Sequence, residues 1–208
     1  MKFQLTKEEG EFLVGLARRA VEEYLTSRNV ISMPKDTPNR LTCQCGVFVT
    51  INLLEKRKKR LRGCIGYPYQ TTKLAQAVVE CAISAATQDP RFPPLYPEEL
   101  SKIVFEVSVL TPPELVNVEN PKDMPSKIKV GRDGLIIERG PYKGLLLPQV
   151  ATEQNWDEED FLSNCCIKAG LTPDSWLLNR TKIYSFQAIV FEEENPRGKI
   201  RRKTFGGE

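Results

Sequence analysis

Histidine is absent from all 208 residues of this chain. That absence removes the Ser-His-Asp triad, the Cys-His dyad and every imidazole metal ligand from the available chemistry. Also missing is any apolar run near the roughly 20 residues that cross a bilayer. The opening "MKFQLTKEEGEF" lacks the apolar core and small-residue cleavage site of a signal peptide. The expected location is therefore the cytoplasm, where free thiols are the default over disulfides. Neither GxGxxG after a strand nor GxxxxGK followed by Ser or Thr occurs, so the usual phosphate-cradling loops are excluded and nucleotide-driven mechanisms lose most of their support. No CxxC pair repeats at zinc spacing. The cysteines stand as CxC at 43 and 45, CC at 165 and 166, and single residues at 64 and 81. Adjacent cysteines within a helix point in different directions, so no metal site and no cofactor are expected. There is no internal repeat and no low-complexity tract.

What is present is ordinary for a soluble globular chain: 40% apolar and 27% charged residues, enough length for one large domain or two small ones. The net charge of +3 is unevenly spread. Residues 55–62 hold six Lys/Arg and one Glu, and residues 197–203 hold five Lys/Arg and no acid, which leaves the remainder of the chain at −7. Basic clusters suit acidic partners or nucleic acid, but neither interleaves aromatics for base stacking, which disfavours nucleic acid. The plainer reading is a solvated hairpin tip and, over residues 193–208, a basic flexible tail.

Periodicity gives the elements. Residues 6–27 predict a helix, with Thr6 as cap, Glu8 and Glu9 in the first turn, and a stripe of Leu13, Leu16, Ala17, Ala20, Val21 and Tyr24. "GVFVTINLL" alternates, with Val47, Val49, Ile51 and Leu53 on one face of a half-buried strand, and "EKRKKR" turns it back into "LRGCIG". Thr72–Thr87 predicts an alanine-rich helix, followed by the proline-stiffened crossing "DPRFPPLYPEEL". Ile103, Phe105, Val107 and Val109 predict a second strand; "LIIE" and "LLL" predict a hairpin. "PQVATEQNW" and "DEEDFLSNCCIKAG" predict helical pieces, and residues 181–191 a closing strand. Short hairpins between strands argue for an antiparallel α+β fold.

Two groups could carry chemistry. Strand period two would place Arg62, Cys64 and Gly66 on one face, with the guanidinium base about 6–7 Å from the thiol along the strand. A cation that close favours thiolate. Gly66 would leave space beside the sulfur, and Gly63 would admit a backbone or ligand from behind. The alternative is architectural: a bulge or tight crossing with Cys64 as a small buried group. In the second group Arg91 could clamp a carboxylate or phosphate, or serve as permanent partner of Asp89. Glu106, opposite Phe105 and Val107, is either solvated or in need of a partner.

Together "LRGCIG", "AATQDPRFPPL", "EVSVLTPPE", "VGRDGLIIERGPYKGLLLPQVATEQNW" and "FLSNCCIKAGL" resemble the family named for the AMME syndrome candidate protein, over about residues 5–192. The resemblance implies one domain, with a larger part containing both termini, a smaller part packed against it and a groove between them. By analogy Arg62, Gly63, Cys64 and Gly66 carry the motif, with Asp89 and Arg91 as the next matches. Prokaryotic members often share gene sets with a Memo-like protein and a radical S-adenosylmethionine enzyme, implying a common modification pathway; eukaryotic members look like adaptors. Many relatives carry a histidine in the segment equivalent to "ATEQNWD", which this chain lacks. The resulting expectation is a thiol-centred transfer: Cys64 as nucleophile, Arg62 lowering its pKa, Asp89 orienting Arg91, and Arg91 and Glu106 beside Gly63 and Gly66 in the ligand site. Its substrate would be small or protein-borne. The rival expectation is a non-enzymatic protein-binding module. The sequence does not fix the oligomeric state.

Overall fold

The computed structural model describes residues 4–69 and 72–203. Its first helix, α1 (Lys7–Ser27), begins with a reciprocal cap: the Glu9 amide donates to Thr6 Oγ1 at 3.2 Å and the Thr6 amide to Glu9 Oε2 at 2.8 Å. Its buried stripe matches the sequence pattern through Leu13, Leu16, Ala17, Ala20 and Val21, with Arg18 as an unexpected buried member. Strands β1 (Gly46–Glu55) and β2 (Lys58–Tyr67) form the expected hairpin. Its two-residue turn puts Lys56 and Arg57 at φ 47° and 66°, left-handed values that glycine or asparagine would adopt more cheaply.

Helix α2 (Leu74–Thr87) presents leucine, alanine and valine to β1 and β2, and its first amide is capped by the Cys43 carbonyl at 2.8 Å. After the proline-rich crossing and a short 3-10 turn at Pro97–Glu99 comes β3 (Ile103–Leu110). Every residue of β3 is buried, Glu106 and Ser108 included, so both faces are covered where alternation alone suggested one. Next are β4 (Glu114–Leu115), α3 (Met124–Lys127), β5 (Asp133–Arg139), β6 (Tyr142–Leu146), α4 (Pro148–Gln154) and α5 (Glu158–Lys168). The chain closes with β7 (Lys182–Glu193) and β8 (Ile200–Lys203).

Among the described residues the strands follow the order β2-β1-β3-β7-β5-β6, with β4 and β8 also paired to β7, and the ladders β1–β2, β1–β3, β4–β7, β5–β6, β5–β7 and β7–β8 are antiparallel. The fold is α+β, as the hairpin spacing predicts. The chain divides into two compact units. The larger holds the described residues up to Leu110 together with Ile189–Lys203; the second is Thr111–Ala188. In the larger unit α1 and α2 bury Val47, Val49, Ile51, Phe105 and Val107. In the second, Leu135, Ile137, Phe161, Leu162, Trp176 and Ile183 form a separate core that also takes in Cys165 and Cys166.

The reading of residues 193–208 as a flexible tail needs correction. Glu193 is buried, and residues 200–203 pair with β7 as β8. Their charges misled the reading because two of those cations neutralise buried carboxylates; residues 204–208 lie outside the described residues.

Candidate functional site

The hairpin register decides how the motif residues are displayed. Ile51 pairs with Gly63 and Asn52 with Leu61, so Arg62 is the extra residue of a β-bulge. The expectation that Arg62 shares a face with Cys64 is therefore corrected. The guanidinium turns to the proline-stiffened crossing, where Nε and Nη2 meet Glu99 at 2.8 and 3.0 Å and Nη1 donates to the Pro93 carbonyl at 2.9 Å. Arg62 is a clasp, and its charge is spent on Glu99.

The glycines are corrected too. A Cβ on Gly63 would overlap the Ala85 carbonyl oxygen of α2, so the "approach from behind" is made by the chain's own helix. A Cβ on Gly66 would run into the Phe48 ring from the neighbouring strand, which fills the space expected beside the sulfur.

Cys64 itself lies in a row across three strands: Thr50 is its partner on β1, and Glu106 is the partner of Thr50 on β3. The Thr50 hydroxyl donates to Cys64 Sγ at 3.2 Å. The thiol is half-buried, and burial pushes its pKa above the ordinary value; the Thr50 hydrogen bond and the Arg91 charge pull the other way without prevailing. The cation that acts on it is Arg91 rather than Arg62.

Asp89 and Arg91 are brought to the same strand. Asp89 Oδ2 accepts the Cys64 amide at 2.8 Å, Oδ1 accepts the Arg91 amide at 3.1 Å, and the guanidinium adds Nε and Nη2 bonds of 2.9 and 2.7 Å. These Arg91 hydrogen bonds, against the opposing effect of burial, hold the Asp89 carboxyl down at about 2. Arg91 Nη2 also lies 3.5 Å from the Cys64 carbonyl, and the side chain is about half exposed. Asp89 and Arg91 are thus joined as an ion pair. Arg91 Nη1 keeps its donors free among the described residues.

Glu106 is 4% exposed and has the partner its burial demands: Lys203 Nζ at 3.0 Å, from β8. Burial raises its pKa against the pull of Lys203. Glu192 on β7, also buried, accepts Lys59 at 2.6 Å and Arg201 at 2.8 Å. The Ser108 hydroxyl, one row along from Glu106, is buried with no partner among the described residues.

Three of the candidate residues, Asp89, Arg91 and Glu106, thus act on Cys64, the first two from beside its backbone and Glu106 from across Thr50, while Gly63 and Gly66 are absorbed in packing the hairpin and Arg62 in clasping the crossing. Thr50 was missed, although the alternation of β1 already puts it on the face away from Val49 and Ile51. Lys203 and Glu192 carried no local signal.

The AMMECR1 family profile matches residues 14–191. Protein TK0174 of Thermococcus kodakarensis is 57% identical over 202 residues, covering 97% of this chain and 98% of its own. Protein PH0010 of Pyrococcus horikoshii is 56% identical over 204 residues, 98% of each chain. The crystal structure of uncharacterized protein PH0010 matches with a TM-score of 0.93 at 55% identity, over 98% of this chain and 100% of that one.

Proposed function

This chain belongs to the AMMECR1 family, and we propose that it is a protein-binding module whose β1–β2 hairpin and proline-stiffened crossing receive an acidic segment of a partner. The observation that carries this reading is the contrast between filled space and free charge. The motif glycines are packed against Ala85 and Phe48, so the space their missing side chains leave is taken up by the chain itself. Lys56, Arg57 and Lys58 are exposed, and Arg91 presents a half-exposed guanidinium already oriented by Asp89. Preorganised cations meet a carboxylate at little entropic cost and steer association electrostatically. Exposed Leu61 and Tyr96, on the same hairpin and crossing, supply apolar contact.

A second reading is favoured by the convergence of Cys64, Asp89, Arg91 and Glu106. In it the Cys64 thiol is the acceptor in a group-transfer or modification step on a protein-borne substrate, in the pathway the family resemblance implies, with Arg91 anchoring an anionic group. Both readings place the protein in the cytoplasm, without a membrane or nucleic acid.

One experiment separates them. The tagged chain, its Lys58→Glu/Arg91→Glu variant and its Cys64→Ser variant are used as baits in the source cells, and the partner recovered with the unaltered chain is then titrated against all three. Binding that falls at least tenfold on charge reversal, weakens with salt and survives Cys64→Ser supports the module. Binding indifferent to charge reversal refutes it. A mass adduct on Cys64 that disappears in Cys64→Ser supports the second reading.

A further inference from the structure

The two sulfur atoms of the CxC segment have no part in the surface described above. Cys43 is extended (φ −65°, ψ 160°) and Gln44 bridges to Lys73, so the cysteines at i and i+2 project to the same side of an extended backbone. Their Sγ atoms lie 3.1 Å apart. No other pair of the six cysteines has its sulfurs in such contact among the described residues. A disulfide requires about 2.05 Å, so closure asks for about 1 Å of approach, within reach of small χ1 changes. Cys43 is half-buried and reachable from solvent, whereas Cys45 is 5% exposed.

We propose that Cys43 and Cys45 form a dithiol redox site, which a low-molecular-weight disulfide oxidises to an intrachain Cys43–Cys45 disulfide. Cys43 gives its proton to water, and the thiolate attacks one sulfur of the small disulfide. The S–S bond of the oxidant breaks, its electron pair leaves on the departing thiolate, and that thiolate takes up a proton. Cys45 then loses its proton and attacks Cys43 Sγ, which breaks the mixed disulfide and expels the second small thiol with a proton of its own. The chain loses two electrons and two protons, and one small disulfide becomes two small thiols.

The order of attack follows from the environment. Burial, reinforced by Cys43, pushes the Cys45 thiol up to about 12, so it is a poor first nucleophile toward anything in solution. Once Cys43 is capped, Cys45 needs only to reach a sulfur already in contact with it. The ring closed by three consecutive residues removes little chain entropy, which makes the bond readily reversible. Its place in the fold is defined as well: the Cys43 carbonyl holds the first amide of α2, and Cys45 leads directly into β1.

The full native chain is equilibrated anaerobically in mixtures of reduced and oxidised glutathione, quenched with an alkylating agent, and digested with trypsin. Residues 41–56 form one tryptic segment carrying both thiols. The expected product is that segment lighter by two hydrogens and unalkylated, while Cys64, Cys81, Cys165 and Cys166 remain alkylatable after unfolding. Cys45→Ser is expected to trap a stable glutathione adduct on Cys43, and Cys43→Ser to leave Cys45 largely unmodified. A stable adduct on Cys43 of the unaltered chain, or oxidation that appears first at another cysteine, overturns the proposal. So does a segment 41–56 that stays fully reduced in glutathione mixtures oxidising enough to load Cys43 in Cys45→Ser. The unaltered chain decides the matter on its own should either variant fold poorly.

Discussion

Replacing Gly63 by alanine tests whether the motif glycine serves architecture or a ligand. The added Cβ would lie in impossible contact with the Ala85 carbonyl oxygen, 3.1 Å from its carbonyl carbon and 3.7 Å from its Cα. All three atoms belong to the backbone of α2, so no rotamer change relieves them and the helix must retreat by about 1 Å from a close-packed sheet. Overpacking of this kind costs about 1–3 kcal/mol. Removing a glycine from a strand returns about 0.5–1 kcal/mol, which leaves a net loss of about 1 kcal/mol and at most about 2.5 kcal/mol. Gly15, on α1 with nothing within 4 Å of its would-be Cβ, supplies the opposite control: Gly15→Ala should gain about 0.5–1 kcal/mol. Urea unfolding should be followed by far-UV circular dichroism, because both tryptophans, Trp156 and Trp176, belong to the second unit and this helix to the larger one. A Gly63→Ala protein as stable as the unaltered chain, yet unable to bind its partner, would refute the packing argument and return the glycine to a ligand.

Two further perturbations follow from the same surface. Asp89 has a folded-state pKa of about 2 against an ordinary 3.8, so its contribution is complete above pH 3.8 and lost as pH falls through about 2. The shift corresponds to about 2 kcal/mol, reduced to about 1–2 kcal/mol because the Arg91 partner is half solvated. Asp89→Asn should flatten the dependence of unfolding free energy on pH between about 4 and 2, and an unchanged slope would show that the pair contributes nothing. At the hairpin tip, Lys56→Asn with Arg57→Gly should raise stability by about 1 kcal/mol, since both positions hold left-handed φ values that the new residues accept without penalty. A midpoint in urea that does not rise would count against strain at this turn.

The elements that sequence pattern predicts well are those whose partner is hydrocarbon. Val47, Val49, Ile51 and Leu53 alternate because α1 and α2 cover one face of β1, and the same logic gives β3, α1 and the pairing of β1 with β2, though the turn is the two residues Lys56 and Arg57 and not the whole of "EKRKKR". A bulge in this motif was open as the architectural alternative, but its place at Arg62 was not legible, because the partner of that side chain, Glu99, lies 37 residues further on and comes close only in the folded chain. Strand β8 was hidden for a related reason. Five cations in seven residues read as solvent-seeking, yet Arg201 and Lys203 are the counter-charges of Glu192 and Glu106. Arg18 interrupts an apolar stripe and is buried nonetheless, because Glu193 meets it from 175 residues away with two bonds of 2.6 Å. Of the candidate site, Asp89, Arg91 and Cys64 were legible because a proline-stiffened loop and a glycine-flanked thiol are local features. The assignment of Arg62 to the thiol failed on a single inserted residue.

Glu192 and Glu193 show what these buried charges do for the surface that carries Cys64. Successive residues of a strand point to opposite faces, so the end of β7 carries one carboxylate toward each side of the sheet. On one side Glu193 is met by Arg18 of α1, which also donates to the Ile103 carbonyl at 2.8 Å; on the other Glu192 is met by Lys59 of β2 and Arg201 of β8. A slip of β7 by one residue would move one carboxylate into the other's place and leave the second carboxylate and one set of cations without partners. Losing a buried partner costs several kcal/mol, whereas a hydrophobic pair of similar volume would have been as stable and indifferent to such a slip. The charges therefore contribute register more than stability. The row of Glu106, Thr50 and Cys64 is set by the β1–β2 and β1–β3 ladders, and it is tied to the end of β7 by Lys59 of β2 and by Arg18 on the Ile103 carbonyl of β3.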